Sequence, residues 1–261
     1  MSQPPRPAAR ARAAEKPLTG RLRPPGDKSM SHRALMFGAL STGRTEIDGL
    51  LEGEDVLRTA EALRRMGVRI DRGEGGRWTV IGAGLGGLGE PDDVLDMGNA
   101  GTGARLMLGV VAGAPIRAVF TGDASLRRRP MARATAPLER MGARFEGRSG
   151  GRLPMMAIGA ARPAPIDFES PVASAQVKSA VLIAGLAAPG RTQVIEPRPT
   201  RDHTERMLRW FGAEVESDGR AASVMGEAEL IGRPVSVPAD PSSAAFAAAA
   251  AAMTPGSEIT L

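Results

Sequence analysis

The sequence predicts an α/β fold built from repeated units. Three observations carry that reading: a recurring helix-to-strand junction, a recurring polar helix start, and a restart of the pattern at the end of the chain. The junction reads LRRMGVRI at Leu63–Ile70, LERMGARF at Leu138–Phe145 and LRWFGAEV at Leu208–Val215, which spaces Gly67, Gly142 and Gly212 roughly 70 residues apart. In each copy an amphipathic stretch stops at glycine, the residue that most readily takes the left-handed conformation closing a helix, and a short β-like run follows.

The polar start precedes each junction. Asp27–Gly43 and Ser174–Gly190 have equal length and enclose the apolar helical patterns Ala34–Leu40 and Ala180–Leu186, followed by the β-like runs TEI and TQVI. GNAGTGARLMLGVVAG from Gly98 has the same polar opening and apolar body. Strand and helix therefore alternate, and helices are expected to cover sheets. At the end of the chain, PADPSSAAFAAAAAAMTPGSEI (Pro238–Ile259) repeats the plan of PPGDKSMSHRALMFGALSTGRTEI (Pro24–Ile47). A fourth unit thus begins, and its apolar face would need a neighbour, so the natural protein is expected to continue past Leu261.

Composition narrows the function. With 261 residues and 42% hydrophobic content the chain can bury a sizeable core. Its longest apolar run, Ala244–Met253, is about half of the roughly 20 residues a bilayer crossing needs, so no membrane partner is expected. Residues 1–17 hold Arg and Pro without an apolar h-region and read as a disordered tail, not a secretory signal. There is no Cys, which removes disulfides, thiolate metal sites and cysteine nucleophiles, and two His make an imidazole metal site improbable. A net charge of +5 favours anionic partners. Aromatic residues are 3% of the chain, with no Tyr, and acids interleave with the basic residues, both of which argue against nucleic acid.

The chemistry is expected at the helix starts. In PPGDKSMSHRALMF a turn leads into a helix capped by Asp27 or Ser29, so first-turn N–H groups are free to favour an anion. Lys28 adds a point charge, and Ser29 and Arg33, four apart, share a helix face. Asn99-Ala-Gly101-Thr-Gly lets backbone approach a ligand closely, and Ser174-Ala175-Gln176-Val-Lys178 brings hydroxyl and amide groups to a helix start. Each segment alone reads equally well as an ordinary helix cap. Of Arg127, Arg128 and Arg129, about one is expected to face a ligand, and His203 after Arg201 reads as structural. Gly82, Gly84 and Gly87 match GxGxxG, but LGEPDD follows where a helix would have to start, so that segment reads as a glycine loop.

Taken as a collinear set from Leu18 to Leu261, GDKSMSHR, LLEGEDV, GNAGTG, GDASLRRRPM, SAQVKSAVLIAGL, TRDHTERM and DPSSAAF resemble the 5-enolpyruvylshikimate-3-phosphate synthases, the bacterial class II forms in particular. The resemblance implies βαβαββ units in inside-out α/β barrels. One near-complete domain of three units would span residues 27–237, and 18–26 with 238–261 would be segments of a second, incomplete domain. It implies transfer of the enolpyruvyl group of phosphoenolpyruvate to the 5-hydroxyl of shikimate 3-phosphate with release of phosphate, on the route to chorismate and aromatic amino acids. No metal or organic cofactor would take part, and the full-length enzyme would be a cytoplasmic monomer.

By the same resemblance Lys28 would touch both substrates and be catalytic. Shikimate 3-phosphate would lie on Lys28, Ser29, Arg33, Ser174, Ala175, Gln176 and Arg201. Phosphoenolpyruvate would lie on Lys28, Asn99, Gly101, Arg129 and Gln176. Carboxylates and a Lys of the other domain would move the protons, so residues 1–261 alone are expected to be inactive. Gly101 stands where some glyphosate-tolerant relatives carry Ala, which implies sensitivity to that inhibitor. The related UDP-N-acetylglucosamine enolpyruvyl transferases usually carry a Cys in this region, and this chain has none.

Overall fold

The computed structural model describes residues 16–261, so the expected tail over 1–17 lies outside the described residues except for Lys16 and Pro17. After β1 (Thr19–Arg21), the first repeat holds α1 (Lys28–Leu40), β2 (Thr42–Asp48), α2 (Glu54–Arg65), β3 (Arg69–Arg72) and β4 (Trp78–Ala83). The second holds β5 (Leu95–Asp96), α3 (Gly101–Ala112), β6 (Arg117–Thr121), α4 (Ala132–Arg140), β7 (Arg144–Arg148) and β8 (Arg152–Ile158). The third holds β9 (Asp167–Glu169), α5 (Ala175–Gly185), β10 (Arg191–Ile195), α6 (His203–Trp210), β11 (Val215–Ser217) and β12 (Ala221–Met225). β13 (Val235–Ser236), α7 (Pro241–Met253) and β14 (Glu258–Thr260) follow.

Each repeat contributes one four-stranded sheet of the same design. The second and third have the orders β5-β6-β8-β7 and β9-β10-β12-β11. The first is β13-β2-β4-β3, so a strand from the end of the unit fills the place that β5 and β9 hold in the others. In all three the outer first strand runs parallel to its neighbour and the remaining pairs are antiparallel. A parallel pair needs a crossover, which α3 and α5 supply between β5 and β6 and between β9 and β10. The unit is therefore βαβαββ, as expected for the fold class.

The two helices of each repeat differ in burial. In α1, α3 and α5 nearly every residue after the first turn is buried, so apolar side chains predominate all round, and the buried polar exceptions such as Arg33 and Lys178 find partners inside. In α2, α4 and α6 a single stripe is buried and the other face carries charge. Close approach of α3 and α5 depends on glycine: a Cβ on Gly109 would stand 2.4 Å from the Ala180 carbonyl oxygen. One hydrophobic core runs through all three repeats, from Phe37 and Leu63 through Phe120 and Leu138 to Leu182 and Phe211.

The chain divides into two compact units, Gly26–Pro238 and the flanking segments up to Pro25 with Ala239–Leu261. In the smaller unit β1 pairs in parallel with β14, and α7 buries no residue, leaving Phe246 82% exposed. Gly82 is still in β4, paired with Gly43, and Gly84–Gly87 turns away directly after the strand, with Gly84 at φ +77° and no helix following. Among the described residues no helix is long and apolar enough to cross a membrane.

Candidate anion-binding site

The start of α1 is shaped by a close backbone approach. A Cβ at Gly26 would lie 2.0 Å from the Gly49 carbonyl oxygen, so only glycine fits there. Asp27 then caps the helix, accepting from the Met30 N–H at 2.7 Å. Lys28 follows, half exposed, with Nζ 3.1 Å from Asp55 Oδ2. Ser29 and Arg33 share a face as the spacing requires, and Arg33 Nη1 donates to the Ser29 carbonyl oxygen at 2.9 Å. The guanidinium, however, lies inside the protein, with Arg33 only 3% exposed. Its Nε donates to Thr204 Oγ1 and its Nη2 to Ser179 Oγ, each at 2.7 Å. Of its five N–H donors two remain uncommitted. Burial pushes its pKa down to about 10, against the opposing pull of Glu205.

The start of α3 is different, because Ala100 at the N-cap has no side chain to offer the free N–H groups. Around it stand Asn99, Gly101, Arg105, Arg129 and, from α5, Gln176. Arg129 Nη2 donates to Asn99 Oδ1 at 2.6 Å and to Ser125 Oγ at 3.2 Å. Arg105 Nη1 donates to the Gly101 carbonyl oxygen at 3.1 Å and to Gln176 Oε1 at 3.3 Å. Gln176 Nε2 donates to Thr102 Oγ1 at 2.9 Å, which ties the start of α5 to the start of α3. Burial, followed by the charges of Arg129 and Arg133, lowers the Arg105 pKa. Among the described residues neither Arg105 nor Arg129 has a carboxylate within ion-pair distance. Arg127 and Arg128 sit in an exposed 3₁₀ turn, so of the three consecutive arginines only Arg129 turns to Asn99.

At α5 the Ser174 hydroxyl caps the helix, accepting from the Val177 N–H at 3.4 Å, and Ala175 is the first helical residue. Arg201 is exposed ahead of α6, near enough that its charge lowers the pKa of Arg33 and of His203. The structure thus joins Arg33 of α1 to Ser179 of α5, and Gln176 of α5 to Thr102 and Arg105 of α3. Asp55, Thr102, Arg105, Ser179 and Thr204 were not singled out from the sequence. Arg105 carried a usable signal, standing four residues after Gly101 just as Arg33 stands four after Ser29. His32, beside this cluster, is fully buried with Nδ1 2.8 Å from Thr59 Oγ1, and burial holds its pKa down at about 4.

Helix starts tied together by hydrogen bonds, with guanidinium groups that have no carboxylate partner among the described residues, form a geometry suited to small anions. Comparison with known proteins sharpens that reading. The family model described as EPSP synthase (3-phosphoshikimate 1-carboxyvinyltransferase) matches residues 13–261. The chain is 61% identical over 249 residues to a 3-phosphoshikimate 1-carboxyvinyltransferase of Parvibaculum lavamentivorans, covering 94% of this chain and 55% of that protein. It is 60% identical to the one of Rhodospirillum rubrum, covering 99% and 59%. The solved EPSP synthase of Acinetobacter baumannii superposes with a TM-score of 0.88 at 46% identity, covering 95% of this chain and 56% of that one. The chain belongs to the EPSP synthase family, and it spans somewhat over half the length of these relatives.

Proposed function

We propose that this chain forms the part of an enolpyruvyl transferase that grips shikimate 3-phosphate and phosphoenolpyruvate. The observation that carries the reading is the uncapped start of α3, with Arg105 and Arg129 beside it and, among the described residues, no carboxylate on either. Fixed positive charge of that kind offsets the repulsion between two anionic substrates, and holding both removes much of the entropic barrier. Asn99, Gly101, Arg129 and Gln176 would take phosphoenolpyruvate. Ser29, Arg33, Ser174, the Ala175 backbone and Gln176 would take shikimate 3-phosphate, with Arg201 at its edge and Lys28 between the two. The 5-hydroxyl oxygen would bond to the phosphate-bearing enol carbon while its own proton leaves and a proton adds to the methylene carbon. The carbon–oxygen bond to phosphate would then break as a proton leaves the new methyl group, restoring the double bond. Carboxylates from the length of the relatives that this chain does not span would exchange the protons. A cytoplasmic monomer acting on free small molecules belongs to the same reading by family likeness.

The test joins this chain to the remaining length found in its relatives and follows phosphate release. Release is expected only when shikimate 3-phosphate and phosphoenolpyruvate are both present. Release with UDP-N-acetylglucosamine in place of shikimate 3-phosphate would overturn the assignment. Residues 1–261 alone are expected to bind without turnover.

A further inference from the structure

Behind the start of α5 lies a charged cluster that the proposed chemistry does not use. Lys178 Nζ sits 2.9 Å from Glu196 Oε2 and 2.7 Å from Glu205 Oε1, with side-chain exposures of 4%, 1% and 1%. Glu196 follows the last residue of β10, and Glu205 is in the first turn of α6. Glu205 Oε2 has no hydrogen-bond partner among the described residues. Arg33, also buried, lies close enough to Glu205 that the carboxylate raises its pKa. Two buried positive groups therefore face two buried negative ones. An apolar cluster of the same volume is often as stable as a buried ion network, so stability alone gives no reason for this one.

Geometry gives a reason. Glu196 Oε1 accepts from the Ser174 N–H at 3.2 Å, and Thr200 Oγ1 donates to both carboxylate oxygens, at 2.9 and 2.8 Å. On the other side the Ser179 hydroxyl donates to the Ala175 carbonyl oxygen at 2.5 Å. A serine has one proton to give, so in its 2.6 Å contact with Thr204 the threonine is the donor. Thr204 and Ser179 then accept from Arg33 Nε and Nη2. The peptide groups of Ser174 and Ala175 are thus gripped from both sides, one through Glu196 and Lys178, the other through Arg33.

We infer that Lys178, Glu196 and Glu205 are positioning residues that lock the first turn of α5 as a shikimate 3-phosphate cradle; the inference rests on the function proposed for Ser174–Gln176. None of the three touches the ligand. They act through the Ser174 N–H and through the charge balance that keeps Arg33 in place.

The experiment uses the 261-residue chain, with shikimate 3-phosphate as the titrant and the Ser174 amide as an internal reporter. In the unmodified protein that amide proton is expected to resonate downfield and to exchange more slowly than those of Ala175 and Gln176, because a buried carboxylate holds it. Glu196→Gln and Lys178→Met are each expected to weaken shikimate 3-phosphate binding about tenfold, the loss of a charge-assisted hydrogen bond, and to move the Ser174 resonance upfield. Thr200→Val, at a half-exposed site, is expected to weaken it about threefold and covers the case in which Lys178→Met does not fold. Unchanged affinity in a folded Glu196→Gln or Thr200→Val variant would overturn the inference. So would a Ser174 amide exchanging as fast as its neighbours in the unmodified protein. Failure of the unmodified chain to bind shikimate 3-phosphate while that amide stays protected would instead remove the substrate assignment.

Discussion

The starts of α5 and α3 hold the same place in successive repeats and treat charge in opposite ways. At α5 a serine caps the helix and the nearby buried charges are matched one for one. At α3 there is no side-chain cap, and Arg105 and Arg129 face only carbonyl, amide and hydroxyl oxygens. Matched charge fixes a shape, whereas unmatched charge next to free N–H groups waits for an anion. Neutralising a residue of the first kind is expected to cost stability and, through the loosened start of α5, affinity as well, whereas neutralising one of the second kind is expected to cost affinity alone.

The largest effect is expected at Lys178. Replacing it with Met leaves two buried carboxylates without their ammonium, and breaking a buried ion network costs about 3–5 kcal/mol. Urea denaturation measures it, and a loss below about 1 kcal/mol would mean that the cluster is not the matched scaffold described.

Next comes His32. Its folded pKa of about 4 lies below the usual 6.5, so the unfolded chain takes up the proton first as the pH falls. Its contribution is neutral above pH 6.5, turns destabilising between 6.5 and 4, and levels off below that at about 3 kcal/mol. His203, half buried and also lowered, adds a smaller slope of the same sign. Denaturation midpoints across that window should fall steeply in the native protein and clearly less in His32→Asn.

Arg129→Gln should separate the two properties that Lys178→Met lowers together. Its side chain is exposed, so stability should change by less than about 1 kcal/mol, while phosphoenolpyruvate affinity falls about 10- to 100-fold. A clear loss of stability with affinity intact would erase the distinction between the two helix starts. The smallest effect is expected at Gly101→Ala, where the added Cβ would stand 2.8 Å from Arg129 Nη1 and 3.3 Å from Arg105 Nη1. Both are ends of flexible side chains and the backbone is not left-handed, so the protein should be as stable or slightly more so. The displaced guanidinium should weaken small-anion binding by a few-fold, read by titration with phosphoenolpyruvate and with glyphosate.

The repeat was legible because its punctuation is chemical. Gly67, Gly142 and Gly212 follow their helices at φ +89°, +102° and +102°, which only glycine takes without strain. The buried helices were legible because their bodies, Ala34–Leu40 and Ala180–Leu186, are apolar on all sides. The strands β5 and β13 were not, since two residues carry no periodicity and their pairing is decided by distant partners. At the site, spacing placed Arg33 on the face of Ser29 but could not give its depth, which depends on Ser179 and Thr204, more than 140 residues away in sequence. Lys178, Glu196 and Glu205 look in sequence like solvated charges, and only the packing of α5 against α6 and β10 buries them.

The central claim is that the starts of α1, α3 and α5 serve a single ligand site, and amide chemical-shift mapping of the 261-residue chain tests it most directly. With shikimate 3-phosphate and phosphoenolpyruvate added together, the N–H resonances of Ser29, Gly101–Gly103 and Ala175–Gln176 should move along one saturable curve. Separate curves for the three helix starts, or shifts confined to other surfaces, would contradict the claim.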